Sequence, residues 1–308
     1  MATLATPEQL PLIDEVFASS SSVNTLGGSA LNSARGLQHW YKTNGGAGKV
    51  MYIGGIGKDA IGDTMKEKTK AAGVDGNFFE CADTQTGCCA CVVAGQERTL
   101  CVNLGAAKKY PTSHLESNLS CLGNASFIYT TGFFLDSNKE AFTKVCTYAS
   151  ENDKPLGMNL SAVFIIDVYL QDMKDLLKYS DYLFCNEDES SRLAKALGLE
   201  ESDRQGVAKM VAQWDKANTK RERVVIMTQG PEPTIVATSA GNGAEVKLEL
   251  IAVPPVEKEK IVDTNGCGDS FVAAFVGSIT RGKTLQEAVA EGNKLGGEVL
   301  CRRGVEFE

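Results

Sequence analysis

Short, mostly apolar runs alternate with helical patterns along most of the chain. Residues 50–53, 126–129, 156–159, 182–185 and 224–228 are runs of this kind, each a candidate strand buried on both faces of a parallel sheet. Between them, residues 60–72, 139–152, 169–179, 190–197 and 203–216 read as helices. This alternation predicts an α/β fold, a doubly wound sheet with helices on both faces. Near the C-terminus, Thr284-Leu-Gln-Glu287 fits a capping box opening a last helix to about residue 302. One stretch departs from the order. Residues 86–93 and 98–104 flank Gly95-Gln-Glu97, a hairpin signal inside a βα chain. Such an insertion serves as a lid, a subunit interface, or an edge hairpin with no catalytic role.

The glycine-rich segments carry the candidate chemistry, and they suit it unequally. Asn44-Gly-Gly-Ala-Gly-Lys-Val50 fails as a phosphate loop: Thr43 takes the place of its first glycine, and Val50 cannot bind magnesium where Ser or Thr is required. A flexible turn is expected there. Gly55-Ile-Gly57 follows a strand, opens a helix and has Asp75 twenty residues on, which resembles a dinucleotide fingerprint. Asp75, however, sits in Gly73-Val-Asp-Gly76, which reads as a turn, so the oxidoreductase reading is set aside. In Gly27-Gly-Ser-Ala-Leu-Asn32 the apolar face of Leu31, Ala34, Leu37 and Tyr41 marks a helix from about Ser29. It is either a tight turn with its N-cap or a seat for a hydroxyl-rich ligand.

Asp263-Thr-Asn-Gly-Cys-Gly-Asp-Ser270 is the most informative segment. It lies between a strand end at 260–262 and a helix over 271–279. Gly266, Cys267 and Gly268 present backbone N–H groups at that helix N-terminus, a site for an anion. Asp269 stands in the same turn, either as a base for an alcohol in phosphoryl transfer or as an acid offsetting the helix dipole. The dipole is expected to lower its pKa.

Composition narrows the classes. The chain has 308 residues, enough for one large domain or two, and is 43% hydrophobic. Its net charge of −8 argues against a nucleic-acid partner. No run reaches the length of a membrane span, and no leader pattern opens the chain. Ten cysteines and two histidines show no zinc spacing. Most of the thiols are expected to be small buried hydrophobes in a reducing cytoplasm, with the nucleus also open.

Taken in order, several blocks resemble the ribokinase-like (PfkB) family of sugar and nucleoside kinases. They are GGSALNS from Gly27, GGIGKDAIGD from Gly54, TGCCACVV from Thr86, NLGAA from Asn103 and TTGFFL from Thr130. NLSAVF from Asn159, NEDE from Asn186, TQG from Thr228 and DTNGCGDSF from Asp263 follow. The phenylalanine and NLSA blocks favour the adenosine branch; another sugar or nucleoside kinase, or an inactive nucleotide binder, is the alternative. The resemblance implies a Rossmann-like αβα body over 28–83 and 108–308 with a small β lid over 1–27 and 84–107. It implies transfer of the ATP γ-phosphoryl group to the adenosine 5′-hydroxyl, with Mg2+, by a monomer.

The resemblance also implies residue roles. Asp269 falls on the catalytic base, Gly266, Cys267 and Gly268 on the anion hole, and Arg98 on a lid arginine. Gly28, Ser29, Asn32, Leu104, Phe133, Phe164 and Asn265 fall on acceptor-binding positions, where the two phenylalanines stack on the base or simply pack. Asn186, Gly230, Thr264 and Asn293 fall around ATP, and Glu189 on Mg2+, held through water. Cys267 stands in place of the family's usual alanine and exposes the site to oxidation. Members of the family also begin with a core strand that ends in a ribose-gripping aspartate. No counterpart of either is found here, since Asp14 lies on an apparent helix over 7–17.

Overall fold

In a computed structural model, residues 2–94 and 97–307 are described, with the side chains of 2, 93, 94, 97 and 98 outside that description. The first part of the chain gives β1 (Ala2–Leu4), α1 (Leu10–Ala18), α2 (Ser29–Thr43), β2 (Met51–Gly57), α3 (Ala60–Ala71), β3 (Asp75–Cys81), β4 (Thr86–Ala94) and β5 (Glu97–Gly105). Next come α4 (Thr112–Glu116), α5 (Leu119–Asn124), β6 (Ile128–Thr131), α6 (Phe133–Glu151), β7 (Leu156–Asn159), α7 (Val163–Leu177), β8 (Tyr182–Cys185) and α8 (Glu187–Ala196). The chain closes with α9 (Arg204–Ala212), β9 (Arg223–Gln229), β10 (Glu232–Ser239), β11 (Lys247–Ile251), α10 (Cys267–Thr280) and α11 (Leu285–Leu300).

A six-stranded sheet in the order β11-β10-β9-β8-β7-β6 forms the centre. β6 to β9 are parallel, and β10 and β11 turn back antiparallel. Period-two alternation sends neighbouring side chains to opposite layers. Leu183, Cys185, Val225 and Met227 pack with Phe142 of α6, Ile165 of α7 and Val207 of α9. Phe184, Val224 and Ile226 pack on the other face with Phe271 and Phe275 of α10 and Val289 of α11. Both faces are therefore covered, which is why these strands read as unbroken apolar runs. α2 joins the second layer beside α10, where Trp40, Tyr41, Ala273 and Leu295 share a core.

The three-layer architecture is the expected one, but the sheet is in two parts. β2 and β3 form a separate parallel pair, and among the described residues neither hydrogen-bonds to β6. The hairpin β4–β5, with β1 added parallel to β5, makes a small third sheet. Ile13 of α1 packs against Ala90 and Cys101 on that sheet.

Two local expectations change. Asp75 opens β3 rather than sitting in a turn; the turn is at Gly73, whose φ of 85° needs glycine. Gly55 and Gly57 lie inside β2, not at a helix mouth. A Cβ at Gly57 would come within 2.6 Å of the Thr84 carbonyl and the Thr86 nitrogen, so close approach of the lid strand explains it. The thiols are also less buried than expected: Cys81, Cys101, Cys146 and Cys185 are buried, and Cys89 and Cys301 are exposed.

Candidate active site

The site lies at the C-terminal ends of β6 to β9, where an open parallel sheet presents its loops. α10 begins there. Its N-cap, Gly266, has φ 75°, and a Cβ at that position would come within 2.0 Å of the Val305 side chain. Ser270 N donates to Gly266 O at 2.8 Å, the first helical bond. A Cβ at Gly268 would meet nothing within 4 Å, so the turn faces open space. Asp263 fastens the turn from behind by accepting from Asn265 N at 2.8 Å and Gly304 N at 3.1 Å.

Asp269 projects from the first turn of α10 towards the start of α2. Ser29 Oγ donates to its Oδ1 at 2.6 Å, and Asn32 Nδ2 donates to its Oδ2 at 2.9 Å. Gly28, with φ 96°, is the N-cap that sets α2 at this angle. The Asp269 carboxylate is raised from its ordinary pKa because protein encloses it on most sides; the two hydrogen bonds oppose this only in part. The lowering expected from the helix N-terminus is thus outweighed by burial.

Across the cleft, Asn186 and Glu189 form a capping box at the head of α8. Asn186 Oδ1 accepts from Glu189 N at 2.8 Å, and the Glu189 carboxylate accepts from Asn186 N at 3.1 Å and Nδ2 at 3.0 Å. Glu189 is buried, and its pKa is pushed up to about 7. Burial is the main cause, the Asn186 amide opposes it, and negative charge on Asp188, Glu187 and Asp269 adds to it.

Two cavities meet at Asp269. One, of about 140 Å³, is bounded by Asn186, Glu189, Thr228, Gly266 and Gly268. The other, of about 1970 Å³, reaches Gly28, Asn32, Leu104, Phe133 and Asn265. Ser29, Gly266 and Asp269 line both. The small cavity is polar and carries carboxylates; the large one offers aromatic and aliphatic walls.

The remaining expected residues fall in different places. Phe133 and Phe164 face each other with ring centroids 6.1 Å apart, tilted by 40°, at the edge of the main core. Asn265 Nδ2 donates to Cys91 Sγ of the lid strand at 3.6 Å. Cys267 is half-buried, and its Sγ donates to the Asp263 carbonyl at 3.9 Å. Thr264 is exposed on the segment before the turn, and Gly230 is exposed in the β9–β10 turn with φ 57°. Asn293 lines neither cavity: Thr234 Oγ1 donates to its Oδ1 at 2.9 Å, and its amide reaches the Ala252 carbonyl at 3.4 Å. The backbone of Arg98 pairs with Val93 on the lid hairpin, while its side chain lies outside the described residues.

Residues not singled out in the sequence also enter. Asn159, Ser161 and Thr228 line the small cavity. Ser161 holds φ 73°, unusual for a residue with a side chain, and its Oγ accepts from Gly132 N at 2.9 Å. Asp59 clasps the lid: it accepts from Thr86 N and Thr86 Oγ1, each at 2.7 Å, while N-capping α3 at Gly62 N. The signal for each was its place at the C-terminal end of a strand, inside a quoted block.

Comparison with known proteins gives a consistent picture. Residues 5–307 match the pfkB family carbohydrate kinase model. Adenosine kinase 1 of Arabidopsis thaliana is 35% identical over 99% of this chain and 87% of its own length. The adenosine kinase of Schizosaccharomyces pombe is 34% identical over 97% and 85%. Among solved structures, Anopheles gambiae adenosine kinase in complex with P1,P4-di(adenosine-5) tetraphosphate superposes with a TM-score of 0.91 at 30% identity, over 99% of this chain and 88% of that one. Schistosoma mansoni adenosine kinase in complex with adenosine and AMP gives 0.89 at 26%, over 100% and 88%.

Proposed function

Since the chain belongs to the pfkB carbohydrate kinase family, we propose that it is an adenosine kinase, passing the γ-phosphoryl group of ATP to the adenosine 5′-hydroxyl to give AMP and ADP. The observation that carries this reading is the meeting of two unlike cavities at one carboxylate and one amide turn. The small polar cavity suits the phosphates. The large cavity, walled by Phe133, Leu104 and Asn32, suits a nucleoside.

The chemistry follows from that geometry. A phosphoryl group in flight is metaphosphate-like, so alignment and charge stabilisation outweigh base strength. The N–H groups of Gly266, Cys267 and Gly268 meet charge on its oxygens at the positive end of α10. Asp269 orients the acceptor hydroxyl and takes its proton; Ser29 and Asn32 hold the carboxylate in position until the alcohol competes for it. The raised pKa of Asp269 makes it a better proton acceptor than a solvated aspartate.

The donor set also fits Mg2+. Glu189, Asn186 and Thr228 offer oxygen to the small cavity, and a cation there would offset the burial, and the lesser repulsion from nearby carboxylates, that raise Glu189. Bound Mg2+ would supply charge neutralisation on the phosphates. We read residues 1–27 and 84–107 as a lid that closes over the acceptor and excludes water. Its links to the body at Asp59–Thr86 and Asn265–Cys91 support this. Among the described residues no helix is long and apolar enough to cross a membrane.

The test is product formation from ATP with adenosine, ribose or fructose as acceptor. AMP from adenosine, well ahead of the sugar phosphates, is expected; preference for ribose or fructose would reassign the substrate within the family.

A further inference from the structure

One wall of the acceptor cavity stands on two short pieces of helix that are cut off from the helices they begin. In α6, Asn138 leaves helical geometry (φ −160°, ψ 96°), and its side chain accepts from Ala141 N at 2.9 Å, capping the helix that follows. Residues 133–137 are therefore a separate turn. In α7, Tyr169 also leaves helical geometry (φ −118°, ψ 21°), which detaches residues 163–168. Phe133 of the first piece lines the large cavity. Phe164 of the second lines neither cavity and backs Phe133, with ring centroids 6.1 Å apart. Where the Phe133 ring stands thus depends on how the two pieces are held together.

A polar contact joins them at a second point. Asp136, one turn beyond Phe133, accepts from the Tyr169 hydroxyl at 2.7 Å on Oδ1, and 8% of its side chain is exposed. Lys108 Nζ lies 3.2 Å from the other oxygen, out of line for a hydrogen bond. Lys108 belongs to the 3₁₀ turn Ala106–Lys109, by which the chain leaves lid strand β5. That turn is tied at both ends. Ala106 N donates to Gln85 O at 2.8 Å, at the entry to the lid. Just beyond the turn, the Tyr110 carbonyl accepts from Asn138 Nδ2 at 2.9 Å, at the break in α6. The ordinary role of an acid in a first turn is to offset the helix dipole, which a solvated carboxylate does as well. Enclosure of Asp136 and its bond across to α7 go beyond that role.

Given the adenosine kinase reading, on which this rests, we infer that Asp136 and Tyr169 are positioning residues for the acceptor base and act through Phe164 and Phe133. Their bond fixes the spacing of the two detached pieces. The Phe133 ring then meets the nucleoside already in place, and less of the binding free energy goes into ordering it. Neither residue lines the small polar cavity, so phosphate binding and the chemical step do not draw on this clamp. The Lys108 side chain is 49% exposed; screened by solvent, it adds the smaller share.

The test is steady-state kinetics on the full chain with Tyr169→Phe, Asp136→Asn, the double variant and Lys108→Met. Tyr169→Phe removes one hydroxyl and leaves the Asp136 charge at the helix start, so a dipole role alone predicts no response to it. The expected result is a KM for adenosine raised about three- to tenfold in each single variant and by the same factor in the double, with kcat and the KM for ATP within about twofold of the parent. Lys108→Met is expected to stay within about twofold throughout. A parent-like KM for adenosine in Tyr169→Phe and Asp136→Asn would overturn the inference. So would a joint rise in KM for adenosine and ATP, the sign of general loosening. Factors that multiply in the double variant would overturn it too, because the two residues would then act separately. A parent protein that makes no AMP from adenosine would sink the adenosine reading itself, and this inference with it.

Discussion

The two ends of the central sheet treat buried acids in opposite ways. At the N-terminal end, Asp181 is buried and fully matched: Lys216 Nζ lies 2.6 Å from one oxygen and Arg221 Nε 3.2 Å from the other. Beside it, Arg223 spends its guanidinium on the carbonyls of Leu177, Val211, Trp214 and Asp215. At the C-terminal end, Asp269 and Glu189 are enclosed as well, yet among the described residues only neutral donors hold them. Burial raises both pKa values, with no cation to offset it. A fold that can pair a buried acid at one end and leaves two without a cation at the other marks the second pair as candidates for a functional role.

Substitutions at the two ends should therefore separate activity from stability. Asp269→Asn is expected to lower turnover by about 10²- to 10⁴-fold without lowering the melting temperature, because it removes an enclosed charge; steady-state kinetics and thermal denaturation check both halves. Asp181→Asn should do the reverse. It leaves Lys216 facing a neutral partner in a buried site and costs about 3–5 kcal/mol of stability, while turnover of the folded fraction stays near the parent level. Urea denaturation reads the loss, and a large drop in turnover at unchanged stability would erase the contrast.

The pH dependence of stability sharpens the comparison further. Glu189 holds its proton to about pH 7 in the folded chain, against 4.5 for its ordinary value. Over that window the folded state binds more protons than the unfolded one. Its contribution is present below about pH 4.5 and is lost as pH rises through 7, by up to about 3 kcal/mol. Urea titrations in EDTA from pH 4.5 to 7.5 should show this fall, and Glu189→Gln should flatten it. The smallest expected effect on stability is at Gly268. Alanine there meets open space and suits a helix, adding at most about 1 kcal/mol, but its methyl group narrows the anion turn. A slightly higher melting temperature with weaker ATP binding by calorimetry is the outcome expected.

Much of the architecture was legible in the sequence because strands covered on both faces leave an unmistakable apolar run. β7 and β8 begin and end where the pattern places them. Other elements were hidden for physical reasons. α6 and α7 start a full turn or more before their periodic stretches, since Asn138 and Tyr169 leave helical geometry and break the phase. β11 is partly solvated and β10 carries buried Thr234 and Ser239 beside its apolar positions, so polar residues interrupted both patterns. At the candidate site, the turn around Gly266 was readable because its positive φ and the close Val305 side chain require glycine there. The bonds from Ser29 and Asn32 to Asp269 span more than two hundred residues, and no local pattern encodes them. The strain at Ser161 was equally silent, because serine carries no conformational signature.

The most direct test of the central claim is adenosine binding to the Asp269→Asn protein, measured by calorimetry beside its rate of AMP formation. Parent-like affinity for adenosine with AMP formation nearly abolished is the expected result. Parent-level AMP formation, or affinity lost in step with turnover, would contradict it.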